Sequence, residues 1–306
     1  MRKSILICLL GTMLLTGCTD IRTRKSPDVL AIDAGNPART AMHATQDDTV
    51  ITAVPSHPLL FRSALENAAG AEISAGHLSL LLLNGNPAEL LPGLLQSQEI
   101  APTCKVLYVR SDPCGLLESG GAPTAGQLDA AVSTGQLPVR TADLVYADLS
   151  GGSGVSALPA WQQDALTLAL FDAQGICSVL TETACRGLAL LGGTYDTFSF
   201  NADSAPCTVR SASLRISANS VRGRLCFTVS GSIRTETSHL PAAELLLTEM
   251  VSEALTQTAQ DAGADLLFLR ETALRCGISD AKTCTQMQWR ELLKAASFRV
   301  DLRVSV

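Results

Sequence analysis

One run of residues limits the possible folds more than any other. His77-Leu78-Ser79-Leu80-Leu81-Leu82-Leu83 is almost wholly apolar and is bounded by Gly76 and by Asn84-Gly85-Asn86. A half-solvated strand alternates apolar and polar residues. A run without that alternation suits a strand buried on both faces, the situation inside a parallel or mixed sheet. Its neighbours fit the same plan. Val29–Ile32, Thr49–Val54 and Cys104–Arg110 read as strands. Leu60–Ala69 reads as a helix with Leu60, Ala64, Leu65 and Ala68 on one face, and Pro87–Gln96 as a short helix with Pro87 in its first turn. Strand and helix therefore alternate through the first half.

Gly115–Pro123 and Gly151–Pro159 are loop-rich, and beyond the second the pattern changes. Ala165–Phe171 and Ile176–Leu180 flank a hairpin turn at Asp172-Ala173-Gln174-Gly175. Thr181 can cap a helix that stops at Gly192-Gly193. Two alternating strands follow, one carrying Ala212, Leu214 and Ile216, the next Leu225, Phe227, Val229 and Ile233. Pro241–Gly263 is the clearest helix, with a stripe of Leu247, Met250, Val251, Ala254, Leu255, Thr258 and Ala262. The final strand has strict period two, with Phe298, Val300, Leu302 and Val304 on one face. The expectation is an α+β fold: an alternating strand/helix domain over 29–158, then an antiparallel sheet covered by a long helix over 159–306. The length of 306 residues suits two such domains.

The N-terminus predicts export. Arg2 and Lys3 precede an apolar run of 11 residues, Ile5–Leu15. That run is short of the roughly 20 residues a membrane-spanning helix needs, so residues 1–17 read as a signal peptide. It ends in Leu15-Thr16-Gly17-Cys18, a lipobox: an aliphatic residue, two small ones, then the thiol that receives diacylglycerol. Two acyl chains on Cys18 give lasting attachment where one would not. Residues 18–28 then form a polar tether with Arg22, Arg24 and Lys25. Membrane attachment through lipid on Cys18 is the first site expectation.

Net charge is −6, and losing Arg2 and Lys3 leaves 21 basic residues against 29 acidic. No basic stripe is present, which argues against a nucleic-acid partner. Eight cysteines remain beyond Cys18: Cys104, Cys114, Cys177, Cys185, Cys207, Cys226, Cys276 and Cys284. Outside the cytoplasm an even number permits disulfides, and none are spaced as Cys-x-x-Cys. Cys276 with Cys284, bracketing a polar loop that holds Gly277, is the first expected pair. Cys104 with Cys114 and Cys177 with Cys185 follow, and Cys207 and Cys226 are left unpaired. No metal site or cofactor is expected.

Three fragments bear on chemistry. Gly152-Ser153-Gly154-Val155-Ser156-Ala157 has the dinucleotide spacing after a possible strand at Leu144–Ala147, but Pro159 interrupts the helix that should receive a pyrophosphate, so it reads as a linker. Ser279-Asp280-Ala281-Lys282 matches Ser-x-x-Lys, yet no Lys-Thr-Gly follows: Lys282-Thr283 runs into Cys284. His77 opens an apolar strand and reads as structural, and Asp47-Asp48 lies in a polar segment with no apolar pocket to raise a carboxyl pKa. No nucleophile, base and orienting group assemble, so the chain is not expected to be an enzyme.

The order of segments resembles the Ger(x)C family, the lipoprotein C subunits of nutrient germinant receptors. Cys18-Thr19-Asp20 followed by Leu30-Ala31-Ile32-Asp33-Ala34-Gly35 resembles the family's opening Cys-Trp-Asp and first strand, with Thr19 in place of tryptophan. Phe61–Ala68, Gly76-His77-Leu78, Leu90–Gln96 and Val106–Arg110 continue the order. So do Leu168-Ala169-Leu170-Phe171, Leu180-Thr181-Glu182, Leu191-Gly192-Gly193, the long helix, Ala264-Asp265, Trp289 and the last strand. The eight further cysteines are unusual for the family. The resemblance implies a mixed α/β fold and a non-enzymatic subunit on the outer face of the inner spore membrane. Its implied partners are a multi-span A-type and a transporter-like B-type membrane subunit. A solute-binding lipoprotein of a transport system is the alternative.

Overall fold

The structure, a computed structural model, describes residues 24–162, 165–237 and 239–306. The expected signal peptide, Cys18 and most of the expected tether lie outside the described residues. The strands are β1 (Arg24–Lys25), β2 (Pro27–Asp33), β3 (Arg39–Ala44), β4 (Thr49–Ala53), β5 (Glu72–Ile73), β6 (Leu80–Asn84), β7 (Lys105–Val109), β8 (Ser156–Gln162), β9 (Ala165–Asp172), β10 (Gly175–Val179), β11 (Phe198–Ala202), β12 (Ala205–Val221), β13 (Arg224–Glu236) and β14 (Ser297–Ser305). The helices are α1 (Phe61–Ala69), α2 (Pro87–Gln96), α3 (Pro113–Glu118), α4 (Ala125–Ser133), α5 (Ala142–Ser150), α6 (Glu182–Gly192), α7 (Leu240–Leu255), α8 (Leu269–Arg275), α9 (Asp280–Thr283) and α10 (Gln286–Lys294).

The solid apolar run becomes β6, near the middle of an eight-stranded sheet of order β10-β9-β8-β7-β6-β2-β3-β4. Strands β2, β6, β7 and β8 run parallel, and antiparallel strands extend both sides. Alternate leucines of β6 serve different layers. Leu81 and Leu83 pack with Phe61, Leu65, Leu90, Leu91, Leu94 and Val145 of α1, α2 and α5. Leu80 and Leu82 pack with Cys114, Leu117 and Leu128 of α3 and α4 on the opposite face. All four are fully buried, which is why no polar residue breaks the run. The expected division at 158/159 falls inside β8, which pairs with β7 on one side and β9 on the other.

The second sheet, β11-β12-β13-β14, differs from expectation in one respect. Its first three strands are antiparallel, but β14 pairs parallel to β13, from Cys226 opposite Ser297 to Arg234 opposite Ser305. A parallel neighbour needs a long crossover, and α7 to α10 supply it. Helix α7 lays Leu247, Val251 and Leu255 over Phe198, Val229, Ile233 and Leu302, as the stripe requires. It ends in one π-helical turn, Thr256–Asp261, where the Thr258 hydroxyl donates to the Ala254 carbonyl at 2.6 Å.

Helix α6 joins the two layers: Ala184, Cys185 and Leu188 pack with Leu168 and Leu170 of β9 and with Ala254 and Ala264. Here glycine is required, because a Cβ on Gly187 would lie 1.9 Å from the Met250 carbonyl oxygen. Leu144–Ala147, read as a possible strand, belongs to α5, and part of the loop-rich 115–123 segment is α3. Strand β8 was hidden by Pro159, which stands one residue before the first β7 partner, Ala160.

Candidate functional site

The densest buried polar cluster lies where the glycine-rich loop before β8 meets the segment after α7. The Asp265 backbone N–H donates to Ser153 Oγ at 3.0 Å. The Asp265 carboxylate accepts from Leu269 N at 2.6 Å, Arg270 N at 3.0 Å and Trp289 Nε1 at 2.8 Å. Burial holds the Asp265 carboxyl above the ordinary carboxylate range, although these three donors pull the other way. Leu269 and Arg270 are the first residues of α8, so Asp265 caps that helix and ties it to α10 through Trp289, itself fully buried.

A second buried group adjoins it. Arg140 pairs with Asp148, both nearly enclosed, and donates to Ser156 Oγ at 3.0 Å and through Nε to the Ala157 carbonyl at 3.1 Å. Ser156 Oγ donates in turn to Asp148 at 2.8 Å. The two opposite charges meet each other and share the Ser156 hydroxyl, the condition under which a buried pair is tolerated. The cluster is a clamp on three chain segments. The sequence carried one pointer to it, the Ala264-Asp265 and Trp289 positions, but not their contact.

The chemistry-bearing fragments remain apart. The glycine loop at 151–154 leads into a strand, so the helix that the dinucleotide spacing requires directly after it is not formed. Ser279 and Lys282 are exposed and meet only through backbone, Lys282 N donating to the Ser279 carbonyl. His77 sits exposed in a 3-10 turn ahead of β6. His43, not singled out from sequence, is the better-connected histidine: Nδ1 lies 2.7 Å from Asp28 and Nε2 3.0 Å from Asp48, in the turn after β3. Hydrogen bonds to Asp28 and then Asp48 raise its pKa above the ordinary histidine value. Among the described residues no three His, Cys, Asp or Glu side chains converge to hold a metal ion.

All eight described cysteines are free, so the structure joins none of the three expected pairs. Cys104 lies in the core under α1 and α2, and Cys114 lies on the other face of the sheet. Cys185 is buried beneath β9, whereas Cys177 is exposed on the edge strand β10. Cys276 is exposed at the end of α8, and Cys284 turns its Sγ toward the Ala281 carbonyl at 3.6 Å. Burial pushes the thiols of Cys104, Cys114 and Cys185 up to about 12. No helix among the described residues is long and apolar enough to cross a membrane.

No family model and no curated protein matches the sequence. A solved structure does match: the crystal structure of the GerBC protein superposes with a TM-score of 0.55 at 14% sequence identity, covering 90% of this chain and 96% of that one. The two chains share a fold over nearly their whole lengths.

Proposed function

We propose that this chain is a non-enzymatic lipoprotein subunit of a spore nutrient germinant receptor. It is held by lipid on Cys18 at the outer face of the inner spore membrane, beside A-type and B-type integral membrane subunits. The observation that carries the reading is the fold shared with GerBC over 90% of this chain. The ordered segments that resemble the Ger(x)C family support it independently, because they run from the lipobox to β14. Lipid on Cys18 would confine the domain to a thin layer and raise its effective concentration at membrane-embedded partners without any new contact.

The test is Cys18→Ala in spores of the source organism, followed by immunoblots of membrane fractions and by germination curves. The variant is expected to keep its fold, to leave the membrane fraction, and to lose most nutrient-triggered germination. Germination by a stimulus that bypasses nutrient receptors is expected to be unchanged. Normal nutrient germination with the variant off the membrane would overturn the reading in favour of the solute-binding alternative.

A further inference from the structure

Strands β7 and β8 lie side by side and parallel, with Tyr108 opposite Ala160 and Val109 opposite Trp161. Alternation then places Tyr108 and Arg110 on the same sheet face as Ala160 and Gln162. These residues line a pocket of about 390 Å³ whose apolar floor is Ala160, Ala169, Ile176 and Val179, while the Trp161 side chain lies on the opposite face of the sheet with Leu107 and Val109. The volume is that of a small-molecule site. The position is that of ligand sites in open α/β sheets, at the carboxyl ends of parallel strands.

Among the described residues the polar groups around it are uncommitted. Arg39, Arg62, Arg140, Arg210 and Arg290 each hold a carboxylate. Arg110 has no such partner among the described residues. The Tyr108 hydroxyl and the Gln162 carboxamide likewise have no hydrogen bond to a described residue. Tyr108 and Gln162 are half-buried, so these groups are held by the sheet, not waving in solvent. A guanidinium with further donors around it matches the planar oxygens of a carboxylate. The floor needs an apolar body, and bare phosphate would leave it uncovered.

We infer that this pocket binds a small carboxylate with an aliphatic body, its oxygens on Arg110 and its chain against Ala160, Ala169 and Val179. The inference does not depend on the receptor reading, because the binding is measured on the isolated protein. The test uses the full-length protein in detergent and follows the ring resonances of selectively labelled tyrosine. There are three tyrosines in the chain, and Tyr108→Phe assigns the pocket signal. Isocaproate, isocaproamide and inorganic phosphate are titrated in parallel into wild type and Arg110→Gln. Millimolar isocaproate is expected to shift the Tyr108 resonance saturably while that of Tyr195, packed on Phe198 in the second core, stays in place. Arg110→Gln, or the amide in place of the acid, should weaken binding at least about tenfold, and phosphate should do nothing. A Tyr108 resonance unmoved by isocaproate while Tyr195 reports a folded protein would overturn the inference. Equal responses to acid and amide, equal binding by Arg110→Gln, or an equal response to phosphate would overturn it as well.

Discussion

At the scale of single residues, buried polar atoms divide into those that clamp and those that respond. Asp265 clamps. Replacing it with alanine strands three donors, from Leu269, Arg270 and Trp289, and removes the cap of α8. Asp265→Ala should cost about 2–4 kcal/mol in denaturant unfolding, and Asp265→Asn, which keeps an acceptor in place, should cost less. His43 responds to pH. Its folded pKa is raised by Asp28 and Asp48, so the stabilisation is complete below the unfolded value of about 6.5 and is lost as pH rises through the folded one. Unfolding midpoints of wild type relative to His43→Gln should therefore converge as pH climbs above about 6.5, and a constant gap would exclude the two carboxylates as its cause. Cysteines divide in the same way. A thiol reagent at neutral pH should modify exposed Cys177 and Cys276 in the native protein and reach Cys104, Cys114 and Cys185 only on unfolding, as peptide mapping would show.

At the scale of elements, periodicity was the legible part. The α7 stripe and the alternation of β14 both describe buried faces correctly, because each element presents one face to one layer. Leu255→Ala, which empties a fully buried position between α7 and the second sheet, should lower stability by roughly 2–5 kcal/mol. Gly187→Val should be worse than its helix propensity suggests, since the side chain meets the Met250 backbone and α6 would have to move off α7. What stayed hidden depends on distant partners. Strand β8 carries Pro159 and has a β7 neighbour over only two residues, so its sequence resembles a loop. The parallel pairing of β14 leaves no local mark, because alternation is the same in either direction. The carboxyl-end pocket brings Tyr108 and Arg110 to Ala160 and Gln162 across some fifty residues of chain that fold into three helices. Neither segment alone hints at the other.

At the scale of the whole molecule, β8, β9 and β10 belong to the first sheet, and α6 packs between that sheet and α7. A fragment ending at residue 158 would leave Leu107 and Val109 of β7 at an open sheet edge. It should lack near-ultraviolet circular dichroism, whereas the full chain should unfold in one transition seen alike by fluorescence and circular dichroism. The parallel partnership of β13 and β14 also has a consequence for how the chain is made. Strand β13 is synthesised well before the residues that cover its outer edge, and four helices must leave the ribosome in between. Until Ser297–Ser305 arrive, β13 is an open template for any passing strand. The protein therefore depends on its last strand to seal the sheet, and a premature stop in the final dozen codons should yield aggregates instead of a slightly shortened protein.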